Sequence, residues 1–150
     1  MLSDNFAEKM KECILQSSLQ SLMELEAEMK GRIHQDGLKT DGSKIGNYSD
    51  TFEIEVGGKY VKYKDYRRQN NGQVNYIDLE LFGNLRKSFT VGIVGDKYVL
   101  GFDSTDEFDI ANKHTNHYGA IWKPNDEEKD FTRDTFKRIY RQCLEKSFKK

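Results

Sequence analysis

His114 and His117 stand three apart in "ANKHTNHYG". On a helix that spacing sets both imidazoles on one face, as zinc ligands can be. Asp106 and Asp109 lie just upstream. No third ligand follows at a recognised spacing, so the expectation is one partly buried histidine and one exposed. The carboxylate run over residues 103–109 could supply an acid/base pair, but such a run on a polar loop is expected to be solvated. Cys13 and Cys143 are the only nucleophile candidates beside a histidine. Each sits in an amphipathic pattern that core packing explains. No GxSxG, HExxH, phosphate-binding or dinucleotide glycine motif occurs. The sequence therefore assigns no catalytic residue, no metal and no cofactor, and a small hydrolase or metal enzyme using His114 and His117 stays open as a lesser alternative.

The two cysteines lie near opposite ends, without a CxxC spacing. Reduced, partly buried thiols in a cytosol are the expectation, with a disulfide joining the ends as the alternative. The start, "MLSDNFAEKMKE", is acidic and amphipathic, unlike a secretory signal. No apolar run approaches about 18 residues, so no membrane span is expected. A second constellation is basic: Lys59, Lys62, Lys64, Arg67 and Arg68 interleave with Tyr60, Tyr63 and Tyr66. Cations and aromatics together can hold a single strand by phosphate contact and stacking. The alternative is an exposed hairpin and loop with half-packed tyrosines. The whole chain carries 24 basic and 25 acidic residues, for a net charge of −1. A general nucleic-acid binder usually has a basic excess. A balanced surface fits protein–protein contact or a small-molecule enzyme equally well.

These residues must be positioned by a lean core. Of 150 residues, 36% are hydrophobic and 33% are charged. Nine Phe and eight Tyr offset the shortage, because each buries a large area. Residues 4–33 read as one helix, with Phe6, Met10, Ile14, Leu19, Leu22, Leu25, Met29 and Ile33 at helical steps. About 45 Å of helix exceeds the width of a compact domain of this size. It must break near Ser17-Ser18, or project and pack on another subunit, and projection is the expectation. Residues 36–50 read as a turn-rich loop, residues 51–63 as a hairpin about Gly57-Gly58, and residues 64–76 as polar and mobile.

Leu79, Leu81, Phe82, Leu85 and Phe89 suit two helical turns, with Gly83 at a bend or close backbone approach. A second hairpin follows, with Phe89, Val91 and Ile93 facing Tyr98, Leu100 and Phe102 across "VGDK". A weak helix is expected over residues 106–117, with Phe108, Ile110, Ala111 and His114 near one face. An exposed connection and a strong helix at residues 127–148 complete the chain. The fold class is α+β, a single domain over residues 1–150. A long N-terminal helix and a C-terminal helix pack on a small, mostly antiparallel sheet.

The order of these features resembles the virion-morphogenesis and tail-completion proteins of tailed bacteriophages. "LELFGNLRKSF" before the hairpin is similar to that family's L-x-x-(T)-G-x-L-x-x-S segment, through Leu81, Gly83, Leu85 and Ser88. "ANKHTNHYG" resembles its A-x-x-H-x-x-G segment, through Ala111, His117 and Gly119, and Arg133 matches the entry to its C-terminal helix. Phe82 stands where threonine is common, Ala111 and His117 are more widely spaced than usual, and "FTR" replaces a proline–arginine pair. The resemblance implies a structural protein of the head–tail junction or tail that forms a homo-oligomeric ring with no covalent chemistry. Its implied partners are copies of itself and other phage neck or tail proteins, with DNA only as passing cargo. Its implied place is the virion, after assembly in the bacterial cytoplasm. On that resemblance Gly83 would let the short helix lie tightly against the sheet.

Overall fold

The computed structural model describes residues 2–80 and 83–149. Helix α1, Leu2–Lys30, has 29 residues. At the ordinary helical rise it extends about 43 Å. One wider turn, Gly31–Gln35, carries it on, with the Asp36 N–H donating to the Gly31 carbonyl at 3.1 Å. The helix does not break at Ser17-Ser18. The Ser17 hydroxyl donates to the Cys13 carbonyl at 2.6 Å, which satisfies it inside the helix.

Helix α5, Asp126–Phe148, lies antiparallel along α1. Asn125 and Glu128 cap it reciprocally, each side chain taking the other's backbone N–H at 2.8 Å. Contacts run its whole length, from Arg32–Glu128 at 2.7 Å to the Phe6 and Phe148 rings at 5.0 Å. Cys13, Ser17 and Ser21 are buried at four-residue steps, and their small side chains let the helices approach closely. Cys13 and Cys143 are joined by a disulfide, with Cα atoms 5.6 Å apart. This corrects the expectation of free thiols: helical spacing places each cysteine on a face but not opposite a particular partner.

Strands β1, Glu53–Val56, and β2, Lys59–Lys62, form one antiparallel ribbon. β3, Phe89–Val94, and β4, Lys97–Phe102, form a second, so the strands make two ribbons and not one sheet. In the second, Phe89 pairs with Phe102, Val91 with Leu100 and Ile93 with Tyr98, the register that the alternation implies. The fold is α+β. Two apolar clusters fill the body. One gathers Ile33, Ile45, Ile77, Leu79, Leu85, Ala111 and Ile121, and the other Leu25, Met29 and Phe89. Phe102 and Trp122 pack against both. Among the described residues, none before Leu22 and none from α5 belongs to either cluster. The first half of α1 and the second half of α5 therefore form an arm that leaves the body.

Three further expectations need correction. Residues 64–76 begin in a helix, α2, Tyr63–Gln69, whose Arg67 is buried, so this segment is anchored by an ion pair. The connection before α5 is not simply exposed, because Ile121 is wholly buried. Helix α3, Asn84–Ser88, is one turn and begins only after Gly83, which holds φ +73° at its N-cap. Among the described residues, a Cβ on Gly83 would meet nothing within 4 Å, and the glycine supplies the left-handed backbone that the N-cap takes. The close approach belongs to Gly37, where a Cβ would stand 2.8 Å from the Ile77 carbonyl oxygen.

Candidate functional site

Helix α4, Thr105–Tyr118, is capped by the Ser104 hydroxyl accepting from the Glu107 N–H at 3.5 Å, and ends at Gly119 with φ +96°. Together with α3 and residues 46–49 it walls a half-open groove of about 560 Å³. The floor is apolar and aromatic: Tyr48, Phe52, Tyr63, Ile77, Leu79 and Leu85. His114, His117 and Glu107 supply polar groups on the α4 side. Leu79 takes φ +55° and is buried in the core. That backbone is costly for a leucine, and its burial holds it there.

His114 is half-buried, and its Nδ1 has no hydrogen-bond partner among the described residues. Burial, then the neighbouring His117, holds its pKa below the ordinary value. His117 is exposed, its ring 4.5 Å from that of Tyr118. Among the described residues, no three histidine, cysteine or carboxylate side chains stand close enough together to hold a metal ion.

Beneath the groove lies a buried polar network that the sequence reading missed. Asp78 takes two hydrogen bonds from the Arg67 guanidinium, at 2.6 and 3.0 Å. It also accepts from the Tyr48 hydroxyl at 2.5 Å and from Gln73 at 2.7 Å. The backbone carbonyl of Asp78 takes the His34 Nδ1–H at 2.7 Å, which fixes that tautomer and leaves Nε2 as an acceptor. Burial and the bond to Asp78 both push the Tyr48 phenol's pKa upward. A second such node joins Arg32 to Glu128, with Arg32 also donating to the carbonyls of Leu38, Ile121 and Lys123 at 3.0–3.1 Å. Each charge is paired and hydrogen-bonded, as burial requires. No local spacing announces them, since the partners of Arg32 lie 89 or more residues away apart from Leu38.

The motif residues do not gather at one place. Leu85 and Ala111 share the main core cluster, and Leu85 and His117 line the groove. Ser88 is buried and donates to Asp103 at 2.6 Å. Gly83 and Gly119 bound α3 and α4 with positive φ. Arg133 stands apart on α5, exposed and paired with Asp130 one turn back. Leu81 and Phe82 lie outside the described residues. Of the basic set, Lys64 pairs with Asp50 at 2.6 Å, Arg67 with Asp78, and Arg68 with Asp65 at 2.9 Å. Lys59 and Lys62 stand exposed on β2 beside Tyr60, while Tyr63 is buried.

The fold and groove thus define an α+β body carrying a two-helix arm. In comparisons with protein-family models, curated proteins and solved structures, nothing matches the chain. No helix among the described residues is long and apolar enough to cross a membrane.

Proposed function

We propose that this chain is a structural component of a tailed phage or prophage, working at the head–tail junction or tail as a homo-oligomeric ring that completes the tail or joins it to the head. It is assembled in the bacterial cytoplasm, carried in the virion, and does its work by fitting surfaces together without breaking bonds. Its partners are its own copies and neighbouring neck or tail proteins, and DNA passes as cargo.

One observation carries the reading furthest. The two segments that resemble the family, around Leu85 and around Ala111 and His117, pack into one cluster and share one groove wall. Segments that are motifs of one architecture should meet in this way. Support also comes from Ile93 and Val94, 68% and 66% exposed at the tip of the second ribbon. Apolar side chains so exposed are ones that a neighbour would cover. A ring needs two different, complementary patches per subunit, and on this reading the apolar groove of one copy takes the tip of the next.

Negative-stain microscopy of the purified chain at micromolar concentration tests the reading. Closed rings of uniform diameter are expected. Single particles of monomer size, together with turnover of a substrate that fills the groove, would end it.

A further inference from the structure

The helix pair α1 and α5, the arm together with its root on the body, has an apolar surface that neither helix covers. Phe6, Ile14, Leu15 and Met23 on α1 are 38–55% exposed, and Phe131 and Phe148 on α5 are 40% and 42% exposed. Two antiparallel helices cannot bury apolar residues placed this far around their circumference, whereas four can.

Charge says what covers them. At the tip, residues 5–15 and 137–149 hold seven basic side chains against three acidic ones. At the base, residues 16–30 and 126–136 hold eight acidic against three basic. The tip is therefore strongly positive and the base strongly negative, along one rigid element cross-linked at Cys13–Cys143. Arg141 and Lys146 at the tip, and Glu28 and Glu127 at the base, are exposed and make no ion pair among the described residues.

We propose that two copies of this chain associate arm to arm, antiparallel, with the tip of each against the base of the other, forming a four-helix bundle. Antiparallel apposition sets positive against negative twice over and is self-complementary about a two-fold axis. Parallel apposition would set like charges together at both ends. The contact rests on the reading that the chain assembles with itself, and adds a two-fold surface to the head-to-tail contacts of a ring.

A charge-swap experiment on the full chain, followed by sedimentation velocity, tests this. Wild type is expected to dimerise, and to weaken as salt rises. Arg141→Glu/Lys146→Glu leaves the tip with five basic and five acidic side chains, and Glu28→Lys/Glu127→Lys leaves the base with six acidic and five basic. Each double variant alone should dimerise about tenfold or more weakly, since the attraction between tip and base is then largely cancelled at both ends. An equimolar mixture of the two should associate more tightly than either variant alone, as a heterodimer, because one end then pairs an unaltered tip with an unaltered base and the other sets the exchanged side chains against each other. Circular dichroism melts confirm that both variants fold. Variants that associate as wild type does, or a mixture no tighter than its parts, would overturn the arm contact. If wild type self-associates while the variants match it, assembly stands and this surface is wrong. If wild type stays monomeric at about 100 μM, both readings fall.

Discussion

The body and the arm are held together by different means. The body has two apolar clusters tied by Phe102 and Trp122, above buried ion pairs in which every charge is answered. The arm has a seam of Cys13, Ser17 and Ser21, one disulfide, and apolar residues turned outward. A stripe of small side chains gives close approach but little buried apolar area, so it adds little to stability. The body carries a core of its own. The arm relies on a cross-link and leaves apolar side chains uncovered.

Breaking that cross-link should separate the two regions most sharply. The disulfide joins residues 130 apart in the chain. On chain-entropy grounds it is worth about 5 kcal/mol. Reduction, or Cys13→Ser with Cys143→Ser, should lower the melting temperature and speed amide exchange in the first half of α1 and the last half of α5. Exchange in β3 and β4, which the loop encloses, should quicken as well, but less than in the arm. Uniform acceleration everywhere would mean that the arm and body are one cooperative unit. The complementary break is Asp78→Ala, which strands the buried Arg67 guanidinium. The cost should be about 3–5 kcal/mol. The loss should register in the body by thermal melting, and an unchanged melt would show that Arg67 reaches water.

Smaller changes sharpen the picture within the body. Gly83 holds φ +73°, a region disfavoured for a β-branched residue. Gly83→Val should therefore cost about 1–2 kcal/mol. Gly83→Asn should cost clearly less, since asparagine tolerates that region and a Cβ there meets open space. Equal losses from the two, measured by denaturant titration, would return crowding as the cause.

The smallest effect is acid sensitivity. Burial holds the pKa of His34 below its ordinary 6.5, opposed by the hydrogen bond to the Asp78 carbonyl and by Glu80 at 3.8 Å. The unfolded chain takes up this proton below about pH 6.5 while the folded chain does not, so stability is full above that pH and declines as acid is added. His114 is shifted the same way and adds to the trend. Melting temperature should fall from about pH 7 to about pH 5, and less so in His34→Gln. A flat profile would place a proton on His34 in the fold.

Much of the architecture was legible because it is periodic. The register of β3 with β4 follows from alternation alone, and α5 follows from helical steps and acidic residues at its start. Whatever depends on distant partners was not legible. Arg67 reads as one of five surface cations, yet it is buried because Asp78 and Tyr63 meet it. Cys13 reads as a core thiol because its partner stands 130 residues on. Gly83 reads as a packing glycine, since sequence gives the residue but not the sign of φ. The groove was half legible: Leu85 and His117 were singled out, whereas Tyr48, Phe52 and Tyr63 carried no signal beyond their aromaticity.

Self-assembly is the claim on which the rest depends, and sedimentation equilibrium on the purified oxidised chain tests it most directly. A mass that climbs with concentration to a whole multiple of 17.5 kDa is what this account requires. A mass fixed at that of one chain up to about 100 μM, in low salt, would contradict it.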